Sequence, residues 1–511
     1  MRARPAVENP HVSDASNAAL QQRYDAIAYA AHPHPLTHPD RLAAVGTFLG
    51  MQPPAPATAR VLEVGCSDGT NLVAMAMTLP QASLVGCDLS GTAIAQGLAM
   101  VDALQLRNVT LLQQDLVGLD PALGPFDYIV AHGVYSWVPP AARDALLALA
   151  ARTLSPAGLL FLSYNALPGC RVRQAAWDIL HYHVDAIEDV RERLAAARVL
   201  ARTIADAGVP QYASDAVLRA EFADIAGHSD SALMHDDLAV PNEPFHFHEV
   251  VAHAATHGLA YLAEAELHSM SGAGLSNDAR KMLGSLAPLE REQYADFMRL
   301  RRFRQSVWRR AVARVDPAVR PERLTPMHVS ADPSLLRAAA AGRIDDLARG
   351  LDPTQGSQGP MTALLQRLVE VAPLSLTFAD VMRVFASHAA ARGTDLPAFA
   401  QVLGNAYVAN VVQLHIQPPP LVLVPAARPV ASPLARLHAR DREEVISLVH
   451  GRVRLPDPNA RRLLVLLDGT RTRSMLAQSM TGAPGLPDPR TAASFVQHVL
   501  DQFGRLGLLL G

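Results

Sequence analysis

The segment VLEVGCSDGTNL (61–72) sets Glu63, Gly65 and Gly69 in the order Glu-x-Gly-x-x-x-Gly. Glycines where a strand turns into a helix let the backbone approach a ligand and leave N–H groups free at the helix start. The spacing departs from the dinucleotide fingerprint, which needs glycine where Ser67 and Thr70 stand. The missing middle glycine is the one that admits a pyrophosphate, which argues against NAD or FAD; no P-loop lysine follows, which disfavours ATP. Cys66, Ser67 and Asn71 lie on the same turn and helix start and join the candidate ligand-binding set. Asp88, in VGCDLS, stands 23 positions after Gly65, where a carboxylate at a strand end accepts hydrogen bonds from ribose hydroxyls. Asp115, in QQDL, ends the next strand-like run. Its carboxylate suits an adenine amine, with Leu116 offering an N–H and Leu89 an apolar face.

These residues need a scaffold that brings strand ends together. From Val61 the sequence alternates: VLEVG, SLVGCDLS, VTLLQQDL, FDYIVA and GLLFLSYN read as strands, with TNLVAMAMTLP, GTAIAQGLAMVDALQL and AARDALLALAARTL as helices between them. This predicts an α/β class with a doubly wound, mostly parallel sheet. Ahead of it, the segment YDAIAYAAHPHPLTHPDRL carries three His-Pro pairs, which forbid a regular helix there. Residues after Tyr164, to about 325, read as helical with few strand signals. Arg301, Arg302, Arg304, Arg309 and Arg310 around Phe303 and Trp308 read there as a solvated helix face with an apolar anchor, the alternative being a cavity wall that holds an acidic peptide. Near the C-terminus, NARRLLVLLDGTRTRSMLAQSM reads as helix, glycine turn and threonine-capped helix.

Glu63, Gly65, Gly69, Asp88 and Asp115 at successive strand ends resemble the pattern of class I S-adenosylmethionine-dependent methyltransferases. The resemblance implies S-adenosyl-L-methionine as cofactor and a Rossmann-like methyltransferase domain. In that class the loop after the fourth strand abuts the transferred methyl, so His132, Tyr135 and Trp137 in AHGVYSWV become catalytic candidates. Longer strings, including YDAIAYAAHPHPLTHPDRLAAVGTFLG, RVLEVGCSDGTNL, HDDLAVPNEPFHFHEVVAHAATHGLAYLAEAEL and LVLLDGTRTRSML, resemble the bacterial, rickettsial-type protein lysine methyltransferases of outer membrane protein B. That family joins a methyltransferase domain to a helical dimerisation (regulatory) domain, a middle domain and a winged-helix-like C-terminal domain. Mapped onto this chain, the division is 1–40 as a segment covering the cofactor, 41–168, 169–325, 326–430 and 431–511. By position, Tyr24, Thr37, His38 and Arg41 match the N-terminal motif that closes on the cofactor, with Tyr24 joining the catalytic candidates and His38 the cofactor-binding ones. The family's loop more often reads GCGxGG, whereas Ser67 and Thr70 stand here. The implied activity is methylation of lysine side chains of a protein, an outer-membrane or surface protein in unfolded form, by a homodimer. The alternatives are a small-molecule N- or O-methyltransferase and a non-catalytic S-adenosylmethionine-binding regulatory protein.

Composition narrows the remaining choices. The chain has 511 residues, too many for one core and enough for about three or four domains. A formal net charge of −3 gives no pull toward nucleic acid or anionic lipid. From Ser432 to Gly511 there are 11 arginines against 7 acidic residues, sparser than the basic stripe of a DNA-binding winged helix. No apolar run reaches the roughly 18 residues of a membrane span, and the first residues lack a secretory h-region, so a cytoplasmic protein without membrane insertion is expected. Three cysteines, Cys66, Cys87 and Cys170, at long spacings predict neither a disulfide framework nor a zinc site. His246/His248 and His181/His183 have no third ligand in sequence, so no metal is expected.

Overall fold

The five apolar runs form β1 (Arg60–Val64), β2 (Ser83–Asp88), β3 (Val109–Gln113), β4 (Phe126–Ala131) and β5 (Leu154–Asn165), all parallel. The computed structural model describes residues 29, 31–316, 318–351, 359–388 and 395–510. The strands read as near-continuous apolar runs because helices cover both faces of a parallel sheet. Val61, Leu62, Leu84, Ile129, Val130, Leu160 and Phe161 are all fully buried. The connecting helices are Thr70–Ala76, Gly91–Ala103 and Pro140–Thr153. β1 lies between β2 and β4, so the winding direction reverses there. A crevice opens beyond the carboxyl ends of the strands at such a switch point.

The helix Gly91–Ala103 crosses close to the glycine turn after β1. A Cβ built on Gly97 would lie 2.3 Å from the Asp68 carbonyl oxygen and 2.6 Å from Leu111. Backbone cannot yield as a flexible side chain can. Gly97→Ala is therefore expected to destabilise the protein by about 1–3 kcal/mol, as overpacked cores do, read as a lower midpoint in urea unfolding.

The stretch 169–325 departs from the helical reading. It supplies β6 (Leu259–Glu264) and β7 (Phe303–Arg310), which complete a seven-stranded sheet in the order β3-β2-β1-β4-β5-β7-β6. β7 is antiparallel to both neighbours. The arginine-rich run is thus a central strand and not a solvated helix face. Arg304 is fully buried and is matched by Glu264 (2.6 Å), Asp296 (2.8 Å) and Glu292 (3.2 Å). Those carboxylates come from other elements, β6 and the helix Pro288–Arg299 before β7, which is why local pattern misread the strand.

Helices do fill the connection between β5 and β6. Cys170–Val184, Val190–Ala205 and Ala213–Gly227 pack through Ala176, Leu180, Leu194, Ala197 and Phe222. The turn that follows, Leu233–Asp237, is a π-helix; such turns concentrate at functional sites. Beyond β7, a three-stranded antiparallel sheet of β8 (His328–Ala331), β9 (Leu376–Thr377) and β10 (Val412–His415) is surrounded by helices. The C-terminal unit combines helices Pro433–His438, Pro458–Leu466, Arg473–Met480 and Pro489–Arg505 with a hairpin of β11 (Glu444–Ile446) and β12 (Arg452–Arg454). Gly469 takes φ +79° and Thr472 caps the next helix through the Met475 N–H, as the sequence predicts. Leu434 and Ile446 of this unit share an apolar cluster with Leu42, Leu72 and Val73. The C-terminal unit is therefore docked on the domain that carries the glycine turn. Among the described residues no helix is long and apolar enough to cross a membrane.

Candidate active site

The glycine turn is built as its residue types suggest. Gly65 and Gly69 both have φ +71°, in the left-handed region that favours glycine. A Cβ on Gly65 would meet Val134 at 2.7 Å. Ser67 also takes a left-handed φ of 51°, held there because its N–H donates to Asp88 Oδ2 at 2.8 Å. Asp88 Oδ1 accepts from Ser90 N–H at 2.8 Å. Both carboxylate oxygens are thereby fixed at the end of β2, each with further lone pairs. Asp115 Oδ1 accepts from Val117 N–H at 3.0 Å at the end of β3. The Cys66 and Cys87 thiols are buried; burial raises the Cys66 pKa well above its ordinary value and pushes Cys87 up to about 12, so neither is a nucleophile.

Glu63 is the most unusual group. It is buried on β1, and its Oε1 accepts from Asn71 Nδ2 at 2.8 Å. Its Oε2 is buried with no hydrogen-bond partner among the described residues. Burial, aided by the negative charges of Asp68 and Asp88 and opposed by the Asn71 bond, pushes its pKa up to about 8. A buried carboxyl oxygen without a partner is costly unless a ligand supplies a donor.

One cavity of about 840 Å³ joins these groups, within the range of small-molecule sites. Glu63, Gly65, Cys66, Ser67, Asn71, Asp88, Leu89, Asp115, Leu116, His132 and Trp137 all line it. The His132 and His34 rings lie 3.9 Å apart between centroids, tilted at 49° to each other, and His132 Nδ1 is 3.0 Å from Ser163 Oγ, which also accepts from Gly133 N–H. Burial lowers the pKa of His132 to about 4 and, with His132 alongside, that of His34 to about 3. Both rings are neutral at neutral pH. The buried Trp137 Nε1 has no partner among the described residues.

Three candidates lie elsewhere. Tyr135 does not face the cavity: it is buried, its ring packs edge-on against Phe245, and its hydroxyl is 2.7 Å from His253 Nδ1. The turn after β4, closed by the Trp137 N–H donating to the Val134 carbonyl, carries Tyr135 away from the cavity that His132 and Trp137 line. His38 caps the helix Pro39–Phe48 through Asp40 N–H and reaches Thr78 Oγ1 at 3.1 Å, one layer behind the wall. Gly69 serves the turn and does not line the cavity. Thr37 Oγ1 accepts from Asn71 Nδ2 at 3.0 Å, whereas Arg41 Nη1 is buried without a partner among the described residues. Tyr24 lies outside the described residues.

At the far end of the cavity, sequence reasoning reached only Arg302 and Phe303, through the cavity-wall alternative for the arginine-rich run, and missed the rest. Arg173, Trp177, His235, Asp236, Arg302 and Phe303 line it, brought in by the helices after β5 and by the start of β7. No hydrogen bond reaches the Asp236 carboxylate among the described residues. Burial and then the Asp237 charge push its pKa up to about 6. No local motif marks these positions; only the π-helical turn brings Asp236 there. On the outer side, His253, His257 and Asp144 meet, with His257 Nε2 2.8 Å from Asp144 Oδ1, a grouping that spans 113 positions and leaves no sequence spacing to read.

Strand order, glycine turn and acidic strand ends define a Rossmann-like protein of the methyltransferase class. The family model described as a methyltransferase domain matches residues 61–158, the one described as a predicted methyltransferase regulatory domain matches 229–310, and the one described as the PKMT C-terminal winged helix domain matches 427–484. The chain belongs to the rickettsial-type PKMT family of methyltransferases that joins these three units. A Rickettsia prowazekii protein, RP789, is 34% identical over 300 residues, covering 58% of this chain and 54% of its own length; the chain thus spans about half of that relative. A second, RP028, is 33% identical over 234 residues, 45% of this chain and 93% of that protein. The structure of PKMT2 from Rickettsia typhi in complex with AdoHcy superposes with a TM-score of 0.79 at 24% identity, covering 94% of this chain and 100% of that one, a likeness of fold.

The donors and acceptors present fit S-adenosyl-L-methionine. Asp88 offers acceptors for two ribose hydroxyls and Asp115 an acceptor for the adenine amine. The orphaned Glu63 Oε2 offers an acceptor for the ammonium of the amino-acid end. Nothing in the turn calls for a phosphate.

Proposed function

We propose that the chain binds S-adenosyl-L-methionine in this cavity and methylates lysine side chains of a protein. The supporting observation is that the cavity holding Glu63, Asp88 and Asp115 also reaches Trp177, Phe303 and Asp236 beneath the helices after β5. When bound, the cofactor supplies a methyl group activated by its sulfonium. Positioning then dominates the rate enhancement. Asp88 and Asp115 orient the nucleoside, and Glu63 Oε2 holds the ammonium. His132 and His34, neutral by burial, put no positive charge beside a cationic centre.

A lysine with a free pKa of about 10.4 arrives protonated. Asp236, ionised at neutral pH with its pKa of about 6, receives that ammonium. Trp137, Trp177 and Phe303 desolvate it, which opposes the carboxylate's hold on the charged form; the ammonium proton passes to the Asp236 carboxylate and from there to solvent, which frees the nitrogen lone pair. Lysine's long, unbranched stem suits a deep acceptor end. The proposal includes an extended outer-membrane or surface protein as substrate and a second copy of the chain as partner, as the family resemblance implies.

Glu63 gives the cofactor half a pH signature. Its pKa of about 8 in the free protein means that most molecules carry the proton at pH 7, whereas pairing with an ammonium requires the carboxylate. Binding therefore expels a proton, and affinity rises about tenfold per pH unit from pH 6 toward 8. Calorimetry in buffers of different ionisation enthalpy is expected to show nearly one proton released at pH 7. In Glu63→Gln that release disappears and the affinity is weaker and flat with pH.

The acceptor is tested by incubating the protein with methyl-labelled cofactor and unfolded surface proteins, then mapping the label by mass spectrometry. Label on lysine Nζ is expected. Label confined to a small metabolite would overturn the protein-substrate reading.

A further inference from the structure

We infer that His450, at the tip of the β11–β12 hairpin, is a positioning residue for the amino-acid end of the cofactor site, acting through Asn71 and Glu63. The inference rests on the cofactor reading above. It assigns the C-terminal unit a part in a site otherwise built from the first half of the chain.

His450 is 5% exposed and has φ +58°. A non-glycine residue held in the left-handed region marks a place where surrounding structure imposes a conformation. Its Nε2 lies 2.7 Å from Asn71 Oδ1, across 379 positions of sequence. The direction of this bond follows from the neighbours. His34 N–H, which can only donate, points at the same Asn71 oxygen at 2.9 Å, and the Asn71 amide nitrogen faces Glu63 Oε1 at 2.8 Å and Thr37 Oγ1 at 3.0 Å. The amide orientation is thus fixed, Oδ1 is the acceptor, and His450 must carry its proton on Nε2. Burial, with His38 and His34 nearby, holds the His450 pKa well below its ordinary value, so the ring is a neutral donor.

Asn71 thereby has all four of its hydrogen-bonding positions filled, and each partner constrains the others. The bond to Glu63 Oε1 leaves Oε2 as the Glu63 oxygen with no partner among the described residues, facing a ligand ammonium. Without His450 the Asn71 oxygen keeps one donor only, and the amide is free to tilt away from Glu63. The contact is part of a packed interface, since Ile446 and Leu434 of the same unit share an apolar cluster with Leu72 and Val73.

Two ligands separate this role from general support of the fold. S-adenosylhomocysteine carries the amino-acid end; 5′-methylthioadenosine has the same adenosine thioether without it. With the full chain in calorimetry, His450→Ala and the ring-preserving His450→Phe are expected to weaken S-adenosylhomocysteine about tenfold, or about 1.4 kcal/mol. Binding of 5′-methylthioadenosine stays within about twofold. His450→Gln, whose amide N–H reaches as far as Nε2, restores most of the loss. Equal weakening of both ligands, or unchanged binding of both, would overturn the inference and leave the cofactor reading standing. A wild-type protein that binds neither ligand overturns the cofactor reading itself.

Discussion

Asp88→Ala is expected to weaken S-adenosylhomocysteine binding by about two to three orders of magnitude while the protein stays folded. Hydrogen bonds to a charged acceptor contribute about 1.5–3 kcal/mol each, and the ribose offers two hydroxyls. The same carboxylate also holds the turn, since Ser67 N–H and Ser90 N–H donate to its two oxygens. Losing it frees Ser67 from its left-handed conformation, so preorganisation is lost together with the direct contacts. Asp88→Asn is no remedy: its amide nitrogen would face one of the two backbone N–H groups, donor against donor. Calorimetric titration with circular dichroism of the free variant separates affinity from folding. Unchanged affinity in Asp88→Ala would contradict the ribose assignment.

Arg304→Ala is expected to be the most damaging single substitution for stability. The guanidinium is fully buried and bonds Glu264, Asp296 and Glu292, and it stacks on Phe247 at 4.1 Å. Removing one partner of a buried ion pair costs about 3–5 kcal/mol, because the remaining charge stays desolvated. Here three carboxylates would be left to share Arg301, which reaches Asp296 at 2.8 Å. At about 2–4 °C per kcal/mol for a domain of this size, the thermal midpoint should fall by about 10 °C. The deficit should shrink at lower pH. Orphaned buried carboxylates have raised folded-state pKa values, so protonation favours the folded form as pH falls. A midpoint within 2 °C of wild type, a limit set by about 1 kcal/mol, would mean that β7 is not an obligatory strand.

What the sequence discloses and what it hides divide along physical lines. The parallel strands are legible because burial on both faces writes them as apolar runs, and their acidic ends stand out against that background. Glu63, Asp88 and Asp115 are therefore visible from spacing alone. β7 is hidden because its charge is neutralised by residues from other elements, so FRQSVWRR resembles a solvated surface until Glu264 and Asp296 are in place. Tyr135 shows the limit of reading a loop. It is three residues from His132, yet it faces His253 on the other side of the sheet. Asp236 and His450 carry no motif; a π-helical turn delivers Asp236 to the cavity wall, and a docked hairpin delivers His450 to Asn71 behind it. Within the His-Pro string, His34 packs against His132 with its ring tilted at 49°.

We propose that the cavity at the carboxyl ends of β1, β2 and β3 holds S-adenosylmethionine with its methyl directed toward Trp177 and Asp236. A crystal structure of the full chain with S-adenosylhomocysteine tests it most directly. The account predicts one ligand per chain, with ribose hydroxyls on Asp88, the adenine amine at Asp115, the ammonium on Glu63 Oε2 and the thioether sulfur facing His132. A ligand bound elsewhere, or one whose amino group avoids Glu63, would contradict it.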